Sequence, residues 1–372
     1  MPAAPQQKEP LVPVWDIWVR LFHWTLAASI AGAAATGFLG DARWLAVHLT
    51  CGLSAAALVL ARIVWGVLGS THARFADFLP HPRAVIAHMF GNGPRHLGHN
   101  PLGALMVLAI IGAITALTVT GLIGLGGWLR NGPFAADLGT AGGRQALELH
   151  ELLAWAVLAM VALHLPGVFH ERHRRSDPLI RAMLTGRKPA RAGDARAHAA
   201  QPQGQRALKI IAMLGALLGL ATAGLSARTV PDLPAPMPPV VAEECGACHM
   251  TFHPSLLPAA SWHDMMSGLD DHFGENAALS ADLTAEIEDW LTAHAAETVE
   301  TAPARLFANP NPEAPGSITR TAAWKRLHGD LPDSLFARAP IYARTNCIAC
   351  HGDAETGLFS PFALSIPKET SR

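Results

Sequence analysis

Apolar residues in this chain gather into five long runs, at approximately 17–39, 44–68, 102–126, 148–169 and 208–226, separated by polar stretches rich in Arg and Pro. Each is close to the roughly 20 residues an α-helix needs to cross a hydrocarbon layer of about 30 Å. "WLAVHLTCGLSAAALVLARIVWGVL" shows the pattern plainly, as does "LKIIAMLGALLGLATAGLS", which is uncharged after Lys209. Beyond residue 226 the long runs stop. "RTVPDLPAPMPPVVAEE" is Pro-rich and reads as an extended linker, and the remainder is polar and loop-rich. The expected fold is an all-α membrane protein: a four-helix transmembrane bundle, a fifth transmembrane helix, then a mostly helix-and-loop domain. The pattern divides the chain into a membrane domain at 1–190, a basic loop plus fifth helix at 191–228, a linker at 229–242 and a C-terminal domain at 243–372.

Composition agrees with membrane spans, since 50% of the residues are hydrophobic, 15% are charged and the mean hydropathy is +0.24. A net charge of -1 gives no sign of nucleic acid as a partner. Local charge is more informative. The loop before the fifth run holds Arg172, Arg174, Arg175, Arg181, Arg187, Lys188, Arg191, Arg196 and Arg206 against Glu171, Asp177 and Asp194. Positive charge marks the cytoplasmic side, and Arg74, Arg83 and Arg95 against Asp77 place the loop after the second run on the same side. The N-terminus is then cytoplasmic and everything after residue 226 lies outside, in the periplasm if the membrane is the bacterial inner membrane. The start "MPAAPQQKEPLVPVWD" has no apolar signal segment, so the fifth helix is expected to export the C-terminal sequence.

That exported part contains "CGACH" (Cys245, Cys248, His249) and "CIACH" (Cys347, Cys350, His351). C-x-x-C-H is the attachment pattern of c-type haem, whose vinyl groups are bound by the two thiols and whose iron is bound by the His. Zinc and disulfides are the competing uses of paired cysteines. Zinc ribbons space their pairs by about 15 to 20 residues and do not require a His after each, so two covalent haems c are expected. Cys51, in the second run, reads as a small core residue. Each iron also needs a second axial ligand, for which His253, His263, His272, His294, His328, Met250, Met265 and Met266 are available. His272 and His328 stand in apolar and aromatic settings and are favoured, whereas His294 reads as solvated.

Histidines within apolar spans are costly and point to function. His23 opens the first run, His48 the second, and the fourth carries both His150 and His164. Fourteen residues of helix put the last two about 21 Å apart and roughly 40° from one face. On the topology above, His48 and His150 lie at the outer level, and His23 and His164 at the inner one. Each level then has two imidazoles from different helices, as a six-coordinate, non-covalent haem b requires; interhelical hydrogen bonds are the alternative for any one of them. Arg62, at the depth of His164, and Arg20, at the membrane edge, suit haem propionates, with snorkelling as the alternative. His72, His81, His88, His96 and His99 fall in the inner loop and read as solvated.

These segments carry two family resemblances. "VWDIWVRLFHW", "ARIVWGVLGSTHARFADF", "GHNPLGA" and "LHELLAWAVLAMVALH" make residues 14–190 similar to the bacterial cytochrome b561 family, which includes the b-type cytochrome of nickel-iron hydrogenases. That resemblance implies haem ligation through His23, His48, His150 and His164. "CGACHMTFHPSLLPAASW", "LDDHFGENAALS" and "NCIACHGDAETGLFS" make residues 240–368 resemble the periplasmic dihaem cytochromes c, which implies bis-His ligation with His272 and His328 as partners. His253 and His263 do not match family ligands.

Joined, these parts describe an electron-transfer protein with two haems b and two haems c that takes electrons from membrane quinol and delivers them to a soluble periplasmic acceptor, another cytochrome being one candidate. A membrane anchor that passes electrons from a periplasmic dehydrogenase or hydrogenase to quinone is the second reading, and a haem-based sensor the third. A homo-oligomer is compatible with all of them, and the chain has neither a phosphate-binding glycine loop nor a ferredoxin-type cysteine cluster. The topology predicts that a reporter fused after residue 200 is active only if it works in the cytoplasm, and one fused after residue 240 only if it works outside. The opposite pattern contradicts the five-span arrangement.

Overall fold

The computed structural model describes residues 10–90, 96–174, 176–190, 203–230 and 233–367. Its long helices are α1 (Ile17–Phe38), α2 (Leu45–Leu68), α3 (Pro101–Gly127), α4 (Thr140–Arg174) and α5 (Gly204–Ser226). Among the described residues, four segments are long and apolar enough to cross a membrane: 42–68, 101–127, 140–174 and 204–226. Helix α1 has 22 residues, enough to span at about 1.5 Å per residue. It is not among those four, and it carries Arg20 and His23 within its first two turns. Helix α4 overruns its apolar core at both ends and continues past Pro166. At 35 residues it is about 52 Å long, more than the hydrocarbon needs.

Two compact units divide the chain. The first contains residues 1–40, 46–121 and 146–223; the second contains 41–45, 122–145 and 224–372. In the first unit, Leu26 of α1, Ala55 and Val59 of α2, Ile114 of α3 and Val157 of α4 form a shared core. This is the four-helix bundle expected from the sequence. Little of α3, α4 or α5 is otherwise buried, so their apolar side chains face outward, as lipid contact requires.

At one end of the bundle, Asp16 ties three segments together. It caps α1 by accepting from the Val19 amide at 2.8 Å, and it accepts from Trp65 Nε1 at 2.9 Å and Ser70 Oγ at 2.6 Å. An antiparallel ribbon of β1 (Leu11–Pro13) and β2 (Arg187–Pro189) closes the same end. Lys188 of that ribbon is fully buried and donates to Asp177 at 3.0 Å, an uncommon place for a Lys unless it is paired.

Of the histidines between α2 and α3 expected to be solvated, His88 is buried and His99 half-buried. His88 is 4% exposed and meets Glu171 at 3.0 Å. His99 lies between the rings of Trp15, at 4.6 Å, and Phe78, at 4.3 Å. Burial, and then the nearby Arg62, push the His99 pKa down to about 3. The loop packs back onto the bundle end, and sequence polarity alone does not reveal that packing.

In the second unit, two cores hold the irregular sequence together. Val241, Leu257, Trp262, Met266, Ile287 and Leu291 form one, and Leu256, Phe307, Ala323 and Trp324 the other. His253 is fully buried here, with Nδ1 at 2.8 Å from Ser255 Oγ and Nε2 at 3.3 Å from the Ala235 carbonyl. His294 stacks on Trp290 at 4.7 Å rather than standing in solvent.

The His99 environment has a pH consequence. A folded pKa of about 3 against an unfolded value of 6.5 means that the unfolded chain binds the extra proton first. The His99 contribution to stability is therefore complete above pH 6.5 and is lost as pH falls toward 3. Each pH unit within that window costs up to about 1.4 kcal/mol. Thermal unfolding of the detergent-solubilised protein should show that slope, and His99→Gln should flatten it.

Candidate functional site

Three pairs of histidines face each other across similar gaps. In the first unit, the ring centres of His48 and His150 are 6.1 Å apart. In the second, His249 and His272 are 6.2 Å apart, as are His328 and His351. An imidazole nitrogen binds a transition metal at about 2.0 Å and lies roughly 1.2 Å from its ring centre, so two rings on opposite sides of one metal have centres about 6.3 Å apart. Hydrogen-bonded or stacked imidazoles sit differently, and all three pairs have the spacing that one shared iron needs.

The surroundings of the first pair fix the ring tautomers. His48 Nδ1 lies 3.0 Å from the Ala33 carbonyl of α1, and His150 Nδ1 lies 3.0 Å from the Leu117 carbonyl of α3. A carbonyl can only accept, so each Nδ1 carries the proton and Nε2 keeps its lone pair for a metal. The two cradles repeat one design. Thr36 and Gly37 of α1 hold His48 as Thr120 and Gly121 of α3 hold His150, with the Thr hydroxyls 3.4 and 3.2 Å from Nδ1. A Cβ at Gly37 or Gly121 would lie 3.1 or 3.2 Å from the ring carbon Cε1, so glycine lets each ring rest close to the neighbouring helix. Sequence reasoning missed these residues. The repeated Thr-Gly pairs in the first and third apolar runs were the available signal.

His23 and His164 are within electrostatic reach of each other, and His23 Nδ1 is buried without a hydrogen-bond partner. Arg62 is 3% exposed and lies over the rings of Phe75 and Phe78 at 5.3 and 5.8 Å. Neither of its terminal nitrogens has a hydrogen-bond partner. A buried guanidinium in that state suits an anionic group such as a propionate. Arg20 is partly committed elsewhere, with one terminal nitrogen donating to the Leu184 carbonyl at 2.6 Å and Nε left over.

Local structure places the other two pairs. His272 ends a turn in which its N–H and C=O both bond Glu275, at 2.8 and 3.2 Å. Phe273 and Gly274, with φ of 55° and 94°, make the tight reversal. His328 is the last residue of the helix Ala322–His328, where it stacks on Trp324 at 4.7 Å and its Nδ1 donates to the Trp324 carbonyl at 3.1 Å. His249 Nδ1 donates to the Met250 carbonyl at 2.7 Å. His351 comes just after the short turn Cys347–Ala349, and its buried Nδ1 has no partner. Burial lowers the pKa of His272, His328 and His351, which keeps the imidazoles neutral and able to ligate.

The cysteines fit attachment as well. Cys245, Cys248, Cys347 and Cys350 are all free thiols, and among the described residues no three His, Cys, Asp or Glu groups converge as a zinc site would require. Burial raises the Cys347 thiol to about 11 and pushes Cys245 and Cys350 upward. Of the remaining candidates, Met266 is part of the core and His263 is held by Glu288 at 2.6 Å on the surface. The residues therefore suit haem at the three spaced pairs.

Comparison with known proteins agrees. Residues 14–186 match the model of the prokaryotic cytochrome b561 family, and residues 241–359 match that of dihaem cytochrome c. A "Probable Ni/Fe-hydrogenase B-type cytochrome subunit" of Azotobacter chroococcum mcd 1 is 27% identical over 48% of this chain and 89% of its own length. One of the same description from Rhizobium leguminosarum bv. viciae is 24% identical over 48% and 88%. Among solved structures, a dihaem cytochrome c from Rhodobacter sphaeroides is 34% identical and covers 33% of this chain and 98% of its own, with a TM-score of 0.30. One from Shewanella baltica OS155 is 33% identical over 35% and 95%, with a TM-score of 0.29. The chain thus joins a segment that matches prokaryotic cytochrome b561 to one that matches dihaem cytochrome c, and these two matches mark it as a haem-binding electron-transfer protein.

Proposed function

We propose that the chain carries electrons between membrane quinol and an acceptor outside the bacterial inner membrane, using two haems b and two haems c. The observation that supports this most is the recurrence of one imidazole spacing, 6.1 to 6.2 Å, in the membrane bundle and beside both C-x-x-C-H segments. Bound haem supplies reversible one-electron chemistry at iron.

The protein's own part is to hold and tune. His48 and His150 serve the outer level of the bundle and His23 and His164 the inner one, while Arg62, with Arg20 at the edge, neutralises propionate charge. His249 with His272 and His351 with His328 would hold the two haems c of the C-terminal domain, and Cys245, Cys248, Cys347 and Cys350 would attach them covalently. Two imidazoles at each site would favour electron transfer over ligand sensing. Rigid seats such as the Thr-Gly cradles keep ligand geometry constant during electron exchange. The topology expected from charge puts the N-terminus in the cytoplasm and residues 229–372 in the periplasm.

A second reading has specific support. The curated relatives are described as hydrogenase b-type cytochromes, which favours a membrane part that receives electrons from a periplasmic dehydrogenase or hydrogenase and passes them to quinone. Order of reduction separates the two. In vesicles, a reduced quinol analogue should bring up b-type absorbance first and c-type absorbance second. Reduction only by a periplasmic enzyme, with c-type absorbance leading, supports the anchor reading instead.

Ligand roles are tested separately. Denaturing extraction should release two haems and leave two bound. His150→Ala should remove the b-type absorbance of one haem and leave the other haem b and the covalent pair, and Gly121→Val should perturb the same haem by displacing the ring. Two releasable haems in both variants would contradict the assignment.

A further inference from the structure

The second unit contains more than the haem c sequence. It also includes residues 41–45, which connect α1 to α2, and 122–145, which run from the end of α3 into α4. Three contacts of different chemistry hold these connections to the C-terminal sequence. The turn Ala42–Trp44 packs against the turn Pro361–Ala363. Asp137 receives two bonds from Arg228, both at 2.7 Å, in a bidentate pair. Thr140 meets Glu300 and Arg305.

The third contact is the most constrained. Thr140 is fully buried, and its hydroxyl donates to Glu300 Oε2 at 2.6 Å, with its backbone N–H 3.4 Å from the same oxygen. Arg305 donates Nε to the Thr140 hydroxyl and a terminal nitrogen to Glu300 Oε1 at 2.8 Å. Thr140 is also the first residue of α4. Glu300 therefore brings a carboxylate to a helix start, where amides lack intrahelical partners and the helix dipole favours negative charge. The Thr140 hydroxyl and Arg305 hold the Glu300 carboxyl below the ordinary range, so it stays ionised there.

Glu300 and Arg305 alone are too exposed for their ion pair to count for much, since their side chains are 40% and 44% accessible. The buried Thr140 hydroxyl makes the contact specific, because loss of Glu300 removes the acceptor of its hydrogen bond. Helices α2 and α4 both begin at these connections. They carry His48, three residues after Leu45, and His150, ten residues after Thr140.

We propose that Glu300, with Thr140 and Arg305, is a positioning contact that seats the haem c domain on the first turn of α4 and so sets the rate of electron exchange between b-type and c-type haem. This rests on the four-haem reading above. The contact belongs to the same chain and needs no partner. Its role is geometric, because small displacements between reacting centres cost orders of magnitude in rate.

The test uses the full-length, haem-loaded protein in nanodiscs. Glu300→Ala, Thr140→Val and Glu300→Gln, which keeps an oxygen for Thr140, are compared with the unmodified chain. After rapid partial reduction, b-type and c-type absorbance re-equilibrate, and that rate does not depend on which way electrons flow in the cell. Amide hydrogen exchange over residues 140–145 reports the contact itself. Expected are faster exchange there and roughly tenfold or slower re-equilibration in Glu300→Ala and Thr140→Val. Haem content and midpoint potentials should stay unchanged, and Glu300→Gln should recover most of the rate. Unchanged exchange and rate in Glu300→Ala would overturn the proposal, as would slowing that tracks lost haem or shifted potentials. If the unmodified protein shows no re-equilibration between the two spectral types, the relay reading fails and the positioning role with it, whereas the hydrogen-exchange result stands by itself.

Discussion

Most of this structure can be understood from the requirement that two imidazoles from separate segments meet across a gap of one metal atom. In the bundle this demands that α2 and α4 present His48 and His150 toward each other at 6.1 Å. Neither ring can be left to its own rotamer preferences, and the neighbouring helices supply the restraint. The carbonyls of Ala33 and Leu117 fix the tautomers, and Gly37 and Gly121 give the rings room. In lipid such polar contacts have no water to replace them. The bundle core formed by Leu26, Val59, Ile114 and Val157 keeps the four helices in register for that contact.

The C-terminal domain meets the same requirement with little regular structure. His272 depends on a two-residue reversal, His328 on a helix end stacked on Trp324, and His351 on a short turn after Cys347. Backbone hydrogen bonds and aromatic stacking do there what helix packing does in the membrane. In each case the ring nitrogen facing away from the partner is protonated where a carbonyl accepts from it, as at His249 and His328. The orienting group is the backbone, so substitution of nearby side chains leaves the tautomer alone unless it moves the chain.

Several of these features could be read in the sequence and others could not. The C-x-x-C-H motifs are covalent chemistry at a fixed spacing, which survives without any knowledge of the fold. Paired depths for His48 and His150 came from helix rise and apolar boundaries, and the choice of His272 and His328 from local aromatic context. What failed was burial in the loop between α2 and α3. His88 and His99 lie in polar, Pro-containing sequence, yet Glu171 closes over one and Trp15 with Phe78 over the other. Those contacts join residues distant along the chain, and no local pattern encodes them. The Thr-Gly cradles were missed for another reason: a Gly in a membrane helix is too common to signal a ring packed against it.

Axial ligation by paired imidazoles underlies every functional role assigned above. Low-temperature electron paramagnetic resonance of the oxidised, haem-loaded protein, combined with near-infrared magnetic circular dichroism, reports the two axial ligands of each ferric iron directly. Every haem should be low-spin with two imidazole ligands, in the membrane part and in the C-terminal domain alike. A high-spin ferric signal, or the charge-transfer band of a methionine ligand, at full haem loading would contradict paired imidazole ligation.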